Sequence, residues 1–172
     1  TIALDIDPYL LVIGEHVVRG ERVPLTETSL KWIDGREVCR QWRLEAPGPG
    51  LSSEAFRCVF ADGNAPPFEP GSFDTALTSW FIDQAPRDLP AFIRTVRELL
   101  RPGGRWLNQG PLIYSEQTPF DRRYGREELF ELASTTGFTV EDWSRTSQRY
   151  LVSPLTGNGR IESVLSFIAT RR

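Results

Sequence analysis

The chain has 172 residues, 40% of them apolar and 11% aromatic, a composition typical of one folded domain with a sizeable core and not of a disordered chain. A net charge of −3 with arginines spread along the chain leaves no broad basic surface for nucleic acid. One histidine and two cysteines are too few for a zinc site or a disulfide framework, and no apolar run approaches the about 20 residues of a membrane helix, so we expect a cytoplasmic protein without metal or membrane partners.

The first third of the chain predicts a strand, a helix and an insertion. Residues 1–7 are a short apolar run that ends in acidic residues. Asp7 before Pro8 has the form of an N-cap followed by a first-turn proline, which predicts a helix over residues 8–19. Glycine and proline punctuate residues 20–55, and we interpret this segment as an insertion or loop region with at most a hairpin.

Strands and helices alternate along the rest of the chain. Residues 56–62 and 73–82 read as buried strands, and a strongly amphipathic helix follows, capped by Asp88 and ended by Pro102 and Gly103. Further strands are predicted over residues 105–114, 138–144 and 162–171, with a helix over residues 126–137 between the first two. This alternation predicts an α/β fold: a Rossmann-like, mostly parallel sheet with helices on both faces, in a single domain over residues 1–172.

Three acidic residues follow predicted strands at the edge where such sheets bind ligands. Asp5 closes the first strand, Asp62 closes the next, and Asp83 lies just past the third. Ligands of open α/β sheets bind outside the carboxyl ends of the strands, where a carboxylate can accept ribose hydroxyls or an adenine amine. The pattern predicts a nucleoside site at Asp5 and Asp62. Asp83 is equally compatible with capping the turn that follows it.

The stretches ALDIDPYLL, FADGNAPPFEPGSFDTALTSWFID and LLRPGGRW, in this order, resemble the second half of the class I S-adenosylmethionine-dependent methyltransferase core. Residues 72–114 resemble more narrowly the carnosine N-methyltransferase-like family, through Phe-Ile-Asp at 81–83 and WLNQGPLIY at 106–114. Against that family the chain begins at the second strand, so we expect a fragment without the first strand and its glycine-rich loop.

The resemblance implies S-adenosylmethionine as cofactor. It places Asp5 at the ribose and Asp62 at the adenine amine, with Ser79 and Trp80 at the sulfonium end. The remaining cofactor contacts that it implies are the side chain of Ile6 against the adenine and the backbone N–H groups of Gly63 and Asn64 toward the base.

The resemblance also implies a small-molecule methyl acceptor. It places Asp83 as the catalytic residue that faces the acceptor, with Tyr114 as a second acceptor contact, while Ser115 stands where the family often has histidine. Methyl transfer requires alignment and exclusion of water more than a catalytic triad, and a carboxylate can accept a hydrogen bond or a proton from an acceptor nitrogen. The sequence therefore predicts an N-methyltransferase.

Two alternatives stay open at this point. The fold is also compatible with a non-catalytic module for binding or assembly. A nucleotide-binding oxidoreductase of similar architecture ranks lower, because RPGG together with SFDTALTSW favours the methyltransferase.

Overall fold

The computed structural model describes residues 1–28, 39–46, 50–52, 54–84 and 88–172. The chain groups into two compact units, one formed by Thr1–Pro66 with Leu151–Arg160 and the other by Pro67–Tyr150 with Ile161–Arg172. The single domain over residues 1–172 therefore stays a prediction.

The first unit contains a parallel strand pair and a hairpin. Its elements in chain order are β1 (Ile2–Asp5), α1 (Pro8–Val18), β2 (Val23–Thr28), β3 (Cys39–Leu44) and β4 (Arg57–Phe60). β1 pairs in parallel with β4, and β2 pairs antiparallel with β3. The hairpin interpretation of the insertion is confirmed for β2 and β3, whereas residues 29–38, 47–49 and 53 lie outside the described part of the chain.

Local capping explains where α1 begins. The Asp7 carboxylate accepts a hydrogen bond from the Tyr9 N–H at 2.9 Å, and Pro8 occupies the first helical position, where no N–H is needed. The predicted helix and its cap are confirmed.

The second unit is a mixed sheet with helices. Its elements are β5 (Phe73–Ser79), α2 (Leu89–Leu99), β6 (Leu100–Gly110), a short 3₁₀ helix (Phe120–Arg122), α3 (Arg126–Thr136), β7 (Phe138–Tyr150) and β8 (Arg160–Arg171). The strand order is β5-β6-β8-β7, in which β5 runs parallel to β6 and β8 antiparallel to β6. No helix in the described residues is long and apolar enough to cross a membrane.

The hydrophobic core of this unit lies between the sheet and α2 and α3. The apolar stripe of α2 is buried as its spacing predicts, and Trp106 on β6 is fully buried against Phe138 and Phe167. Gly137 ends α3 in the left-handed conformation, with φ at 103°, as predicted from its position.

Several predicted boundaries are wrong. β5 ends at Ser79 and not at residue 82, because Trp80 adopts a left-handed backbone conformation. α2 ends at Leu99, and Pro102 and Gly103, predicted to stop it, lie inside β6. β6 ends at Gly110, and β7 continues to Tyr150, six residues past its predicted end at residue 144.

Candidate active site

Asp83 is a buried carboxylate at the turn that follows β5. Its side chain is only 5% exposed and lines a cleft of about 720 Å³ within the second unit. Its Oδ2 accepts hydrogen bonds from the Ile113 N–H at 3.0 Å and from Gln84 Nε2 at 3.4 Å. Within the described residues its Oδ1 has no hydrogen-bond partner. Since a buried oxygen without a donor is costly, this atom is suited to a ligand that brings an N–H.

The peptide groups of Ile113 position Asp83. Gln84 Nε2 also donates to the Ile113 carbonyl at 3.0 Å, so Asp83 and Gln84 together bind the N–H and the C=O of one residue in the segment after β6. These bonds join the turn after β5 to the segment after β6. The Asp83 side chain thus accepts hydrogen bonds from Gln84 and Ile113. The sequence also allowed Asp83 to cap the turn that follows it, but residues 85–87 of that turn lie outside the described residues.

Burial sets the electrostatics of Asp83. Loss of solvent raises the pKa of this carboxyl above its ordinary value, and the negative charge of Glu162 raises it further. The hydrogen bonds from Ile113 and Gln84 oppose the rise, because they favour the charged form. A carboxyl with a raised pKa is a stronger base, as a group that accepts a proton near neutral pH requires.

Tyr114 contributes a second polar group to the cleft. Its hydroxyl donates a hydrogen bond to the Tyr124 carbonyl at 3.1 Å. Burial raises the pKa of Tyr114, and the nearby charge of Asp83 adds to the rise, so the phenol stays protonated at neutral pH. The cleft is further lined by Asp88, Asp121 and Arg122, which gives it a polar rim.

Trp80 lies just past β5 and not on the strand as the sequence predicted. Its backbone φ is 52°, its N–H donates to the Gln109 carbonyl at 2.8 Å, and its ring stacks on Tyr150 with ring centroids 4.1 Å apart. Ser79 precedes it as the exposed last residue of β5. Sequence reasoning missed Tyr150, since no local pattern links residues on two distant strands.

Asp5 and Asp62 share one edge of the strand pair in the first unit. Asp5 ends β1, Asp62 follows β4 by two residues, and the Ala61 N–H donates to the Asp5 carbonyl at 3.1 Å. Because the two strands are parallel, both acidic residues lie at their carboxyl ends, as predicted. The Asp5 side chain is half-buried and accepts the Asp7 N–H at 2.9 Å.

The turn after β4 differs in one respect from the prediction. Asp62 Oδ1 accepts both the backbone N–H of Asn64 at 2.8 Å and its side-chain amide at 2.9 Å. The N–H of Asn64 is therefore engaged by Asp62, and donation to a base would have to compete with this bond. Gly63 is half-buried in the same turn, and Ile6 beside Asp5 is 64% exposed, as an apolar surface for a ring requires.

A sequence model of carnosine N-methyltransferase matches residues 51–158, which include Asp62, Asp83 and Tyr114. The chain belongs to this family. The carnosine N-methyltransferase of Schizosaccharomyces pombe is 26% identical over 157 residues, which cover 84% of this chain and 39% of that protein. The enzyme of Drosophila melanogaster is 36% identical over 85 residues, 46% of this chain and 18% of that protein. The chain thus spans well under half the length of these curated relatives.

Solved structures show the same fold. An S-adenosylmethionine-dependent methyltransferase from Methanosarcina mazei superposes with a TM-score of 0.57 at 16% identity, covering 99% of this chain and 81% of the other. The predicted α/β class and the resemblance to class I methyltransferases are confirmed.

Proposed function

We propose that this member of the carnosine N-methyltransferase family is an S-adenosylmethionine-dependent methyltransferase that methylates a nitrogen atom of a small molecule bound beside Asp83. The observation that carries the proposal is the buried Oδ1 of Asp83, which lines a cleft of about 720 Å³ and has no donor within the described residues. That volume suits a small molecule.

The residues of the first unit fit a nucleoside. Two carboxylates at the carboxyl ends of neighbouring parallel strands, Asp5 and Asp62, offer acceptors of the kind that ribose hydroxyls and an adenine amine require. Ile6, Gly63 and Asn64 lie next to them in sequence and are proposed to surround the base, with Ser79 and Trp80 assigned to the sulfonium end by the family resemblance. When bound, S-adenosylmethionine supplies a methyl group on a positively charged sulfur.

Asp83 binds an N–H group of the methyl acceptor and accepts its proton. Its Oδ1 accepts a hydrogen bond from an N–H of the acceptor, which orients the acceptor in the cleft. Transfer would break the bond between the methyl carbon and the sulfonium sulfur as the acceptor nitrogen bonds that carbon, so that the neutral thioether S-adenosylhomocysteine leaves. The N–H proton held by Asp83 would move to Oδ1 and pass from there to solvent after release. Tyr114, kept protonated, forms part of the wall that excludes water.

Two measurements test the proposal, calorimetric titration with S-adenosylhomocysteine and mass spectrometry of carnosine incubated with S-adenosylmethionine. Asp83→Asn is expected to bind S-adenosylhomocysteine like the wild type and to lose methylation by roughly 100-fold or more, the size of a general-base contribution. Asp142→Asn makes the same change at an exposed residue of β7 and should leave both S-adenosylhomocysteine binding and methylation unchanged. A protein that neither binds S-adenosylhomocysteine nor methylates carnosine would favour a non-catalytic module.

A further inference from the structure

One wall of the cleft beside Asp83 is the loop of residues 114–124, which joins β6 to α3. About half of the residues that line the cleft belong to this loop, and the others belong to the turn after β5 or to the start of α2. The loop contributes Tyr114, Thr118, Pro119, Asp121, Arg122 and Tyr124. All of the loop lies within the described residues, and only the short 3₁₀ helix Phe120–Arg122 in it is regular secondary structure. Its shape must therefore come from other contacts.

Hydrogen bonds within the loop give it that shape. The Tyr114 hydroxyl donates to the Tyr124 carbonyl at 3.1 Å, which ties the two ends of the loop together. Ser115 begins a tight turn, since its carbonyl accepts the Thr118 N–H at 2.9 Å and its hydroxyl accepts the Gln117 N–H at 3.2 Å. A surface loop whose ends are joined in this way is compact although it belongs to no sheet or long helix.

The side chain of Arg123 joins this turn to the 3₁₀ helix. Its Nε donates to the Thr118 carbonyl at 2.9 Å and its Nη2 to the Glu116 carbonyl at 3.1 Å. Its backbone N–H donates to the Phe120 carbonyl at 3.2 Å, at the end of the 3₁₀ helix. The donors of a guanidinium lie in one rigid plane, so two of them on the same edge hold two acceptors at a fixed spacing.

We propose that Arg123 is a positioning residue for the methyl acceptor, which holds Thr118 and Pro119 where they complete the wall of the cleft that Asp83 also lines. Arg123 is exposed and does not itself line the cleft, so it acts through the loop and not by touching the acceptor. This inference rests on the proposed function and adds that the fit of the acceptor depends on a residue outside the cleft.

The physical reason is preorganisation of the loop. A wall that is already ordered loses less conformational freedom when the acceptor binds, which favours binding. Without the guanidinium, the carbonyls of Glu116 and Thr118 would turn to solvent, and the acceptor would have to order the loop. Asp83 is held by separate bonds from Gln84 and Ile113, so the proton transfer assigned to it should be spared. Loss of Arg123 should therefore raise the KM for the acceptor more than it lowers kcat.

A first experiment needs no substrate. Arg123→Met keeps an unbranched side chain and removes the donors, and hydrogen exchange followed by mass spectrometry measures the effect. We expect faster exchange of the amide hydrogens of residues 115–123 and unchanged exchange in α2, which also shows that the variant is folded. Arg145→Met, the same change at an exposed residue of β7, should leave exchange in the loop unchanged. Unchanged exchange in the loop of Arg123→Met overturns the inference.

A second experiment measures methylation kinetics with carnosine as the probe. Arg123→Met should raise the KM for carnosine roughly fivefold to tenfold, the usual effect of losing one or two hydrogen bonds. Its kcat and its affinity for S-adenosylhomocysteine should stay close to the wild-type values. Arg123→Lys retains a donor but not the planar fork, so its KM should lie between those of the wild type and Arg123→Met.

Two kinetic results would overturn the inference: a KM for carnosine that stays at the wild-type value in Arg123→Met, or a loss of activity that lies in kcat alone. Failure of the proposed function gives a different result. If exchange in the loop becomes faster but the wild-type protein does not methylate carnosine, the proposed function fails while the role of Arg123 in ordering the loop stands.

Discussion

The indole ring of Trp80 stacks on the phenol ring of Tyr150, with ring centroids 4.1 Å apart and planes inclined by 13°. Trp80 has a backbone φ of 52°, a conformation that costs a bulky residue about 1–3 kcal/mol. An aromatic pair contributes about 0.5–1.5 kcal/mol beyond its buried area and so offsets part of that cost. Since this turn ends β5 and leads within three residues to Asp83, the stack supports the geometry of the candidate active site.

Loss of the Tyr150 ring should therefore affect both stability and activity. We expect Tyr150→Leu to lower the free energy of unfolding by about 1 kcal/mol and to reduce carnosine methylation, as measured by urea unfolding and mass spectrometry. Tyr150→Phe retains the ring, so its free energy of unfolding and its methylation activity should lie closer to the wild-type values. Equal effects of the two variants would show that the hydroxyl, and not the stack, is what matters.

Gly110 allows the close approach of β6 to the backbone of Trp80. A Cβ at this position would lie 3.0 Å from both the N and the Cα of Trp80, and backbone atoms can yield little. Gly110→Ala is expected to destabilise the protein by about 1–3 kcal/mol, the usual cost of overpacking. Gly14→Ala is the matched control, because Gly14 lies within α1 with nothing within 4 Å of its added Cβ. It should stabilise the protein by about 0.5–1 kcal/mol in thermal unfolding, and destabilisation by both changes would contradict this account.

A buried polar network ties together β5, β6 and β8. Thr78 Oγ1 accepts the indole N–H of Trp106 at 2.9 Å and donates to Asn108 Oδ1 at 2.8 Å, while Asn108 Nδ2 donates to the Leu165 carbonyl at 3.2 Å. Thr78→Val would leave two buried groups without these partners, and we expect a loss of about 1–3 kcal/mol in urea unfolding. Thr75→Val is the matched control, because Thr75 is exposed on the same strand, and its free energy of unfolding should lie within about 0.5 kcal/mol of the wild-type value. A Thr78→Val variant with the wild-type free energy of unfolding would mean that the network does not contribute to stability.

The raised pKa of Asp83 makes stability depend on pH. Between the ordinary pKa of aspartate and the raised value, the folded protein retains a proton that the unfolded chain has lost, so this carboxyl lowers stability as the pH rises through that window. Asp83→Asn removes the charge, and we expect its Tm to exceed that of the wild type at neutral pH. The difference should shrink as the pH falls below the ordinary aspartate range. Thermal unfolding across this range checks the prediction, and a difference that does not vary with pH would contradict it.

Substitutions of Asp5 and Asp7 should have different effects, the first on cofactor binding and the second on the stability of α1. Asp5→Asn is expected to weaken S-adenosylhomocysteine binding by roughly 10-fold to 100-fold, the usual effect of losing hydrogen bonds to a charged group. Asp7→Ala should instead lower the free energy of unfolding by about 1 kcal/mol through loss of the cap of α1, with little change in binding by the folded protein. Calorimetry and urea unfolding of both variants distinguish the two roles.

Local sequence patterns predicted the order of nearly all elements. Asp7 and Pro8 marked the start of α1, Gly137 marked the end of α3, and the apolar stripe of α2 identified its buried face. The boundaries that were wrong follow from contacts that the local pattern does not contain. β5 is shortened at Trp80, whose conformation depends on Gly110 and Tyr150.

By itself the sequence determined the α/β class, the family, and the placement of Asp5 and Asp62 at the carboxyl ends of strands, because caps, periodicity and strand ends are properties of neighbouring residues. Only the tertiary structure decided that Asp83 binds Ile113 and that Glu162 is buried. The bond between Asp83 and Ile113 joins residues thirty positions apart, and the pairing of β5 with β6, not the pattern of either strand, brings them together.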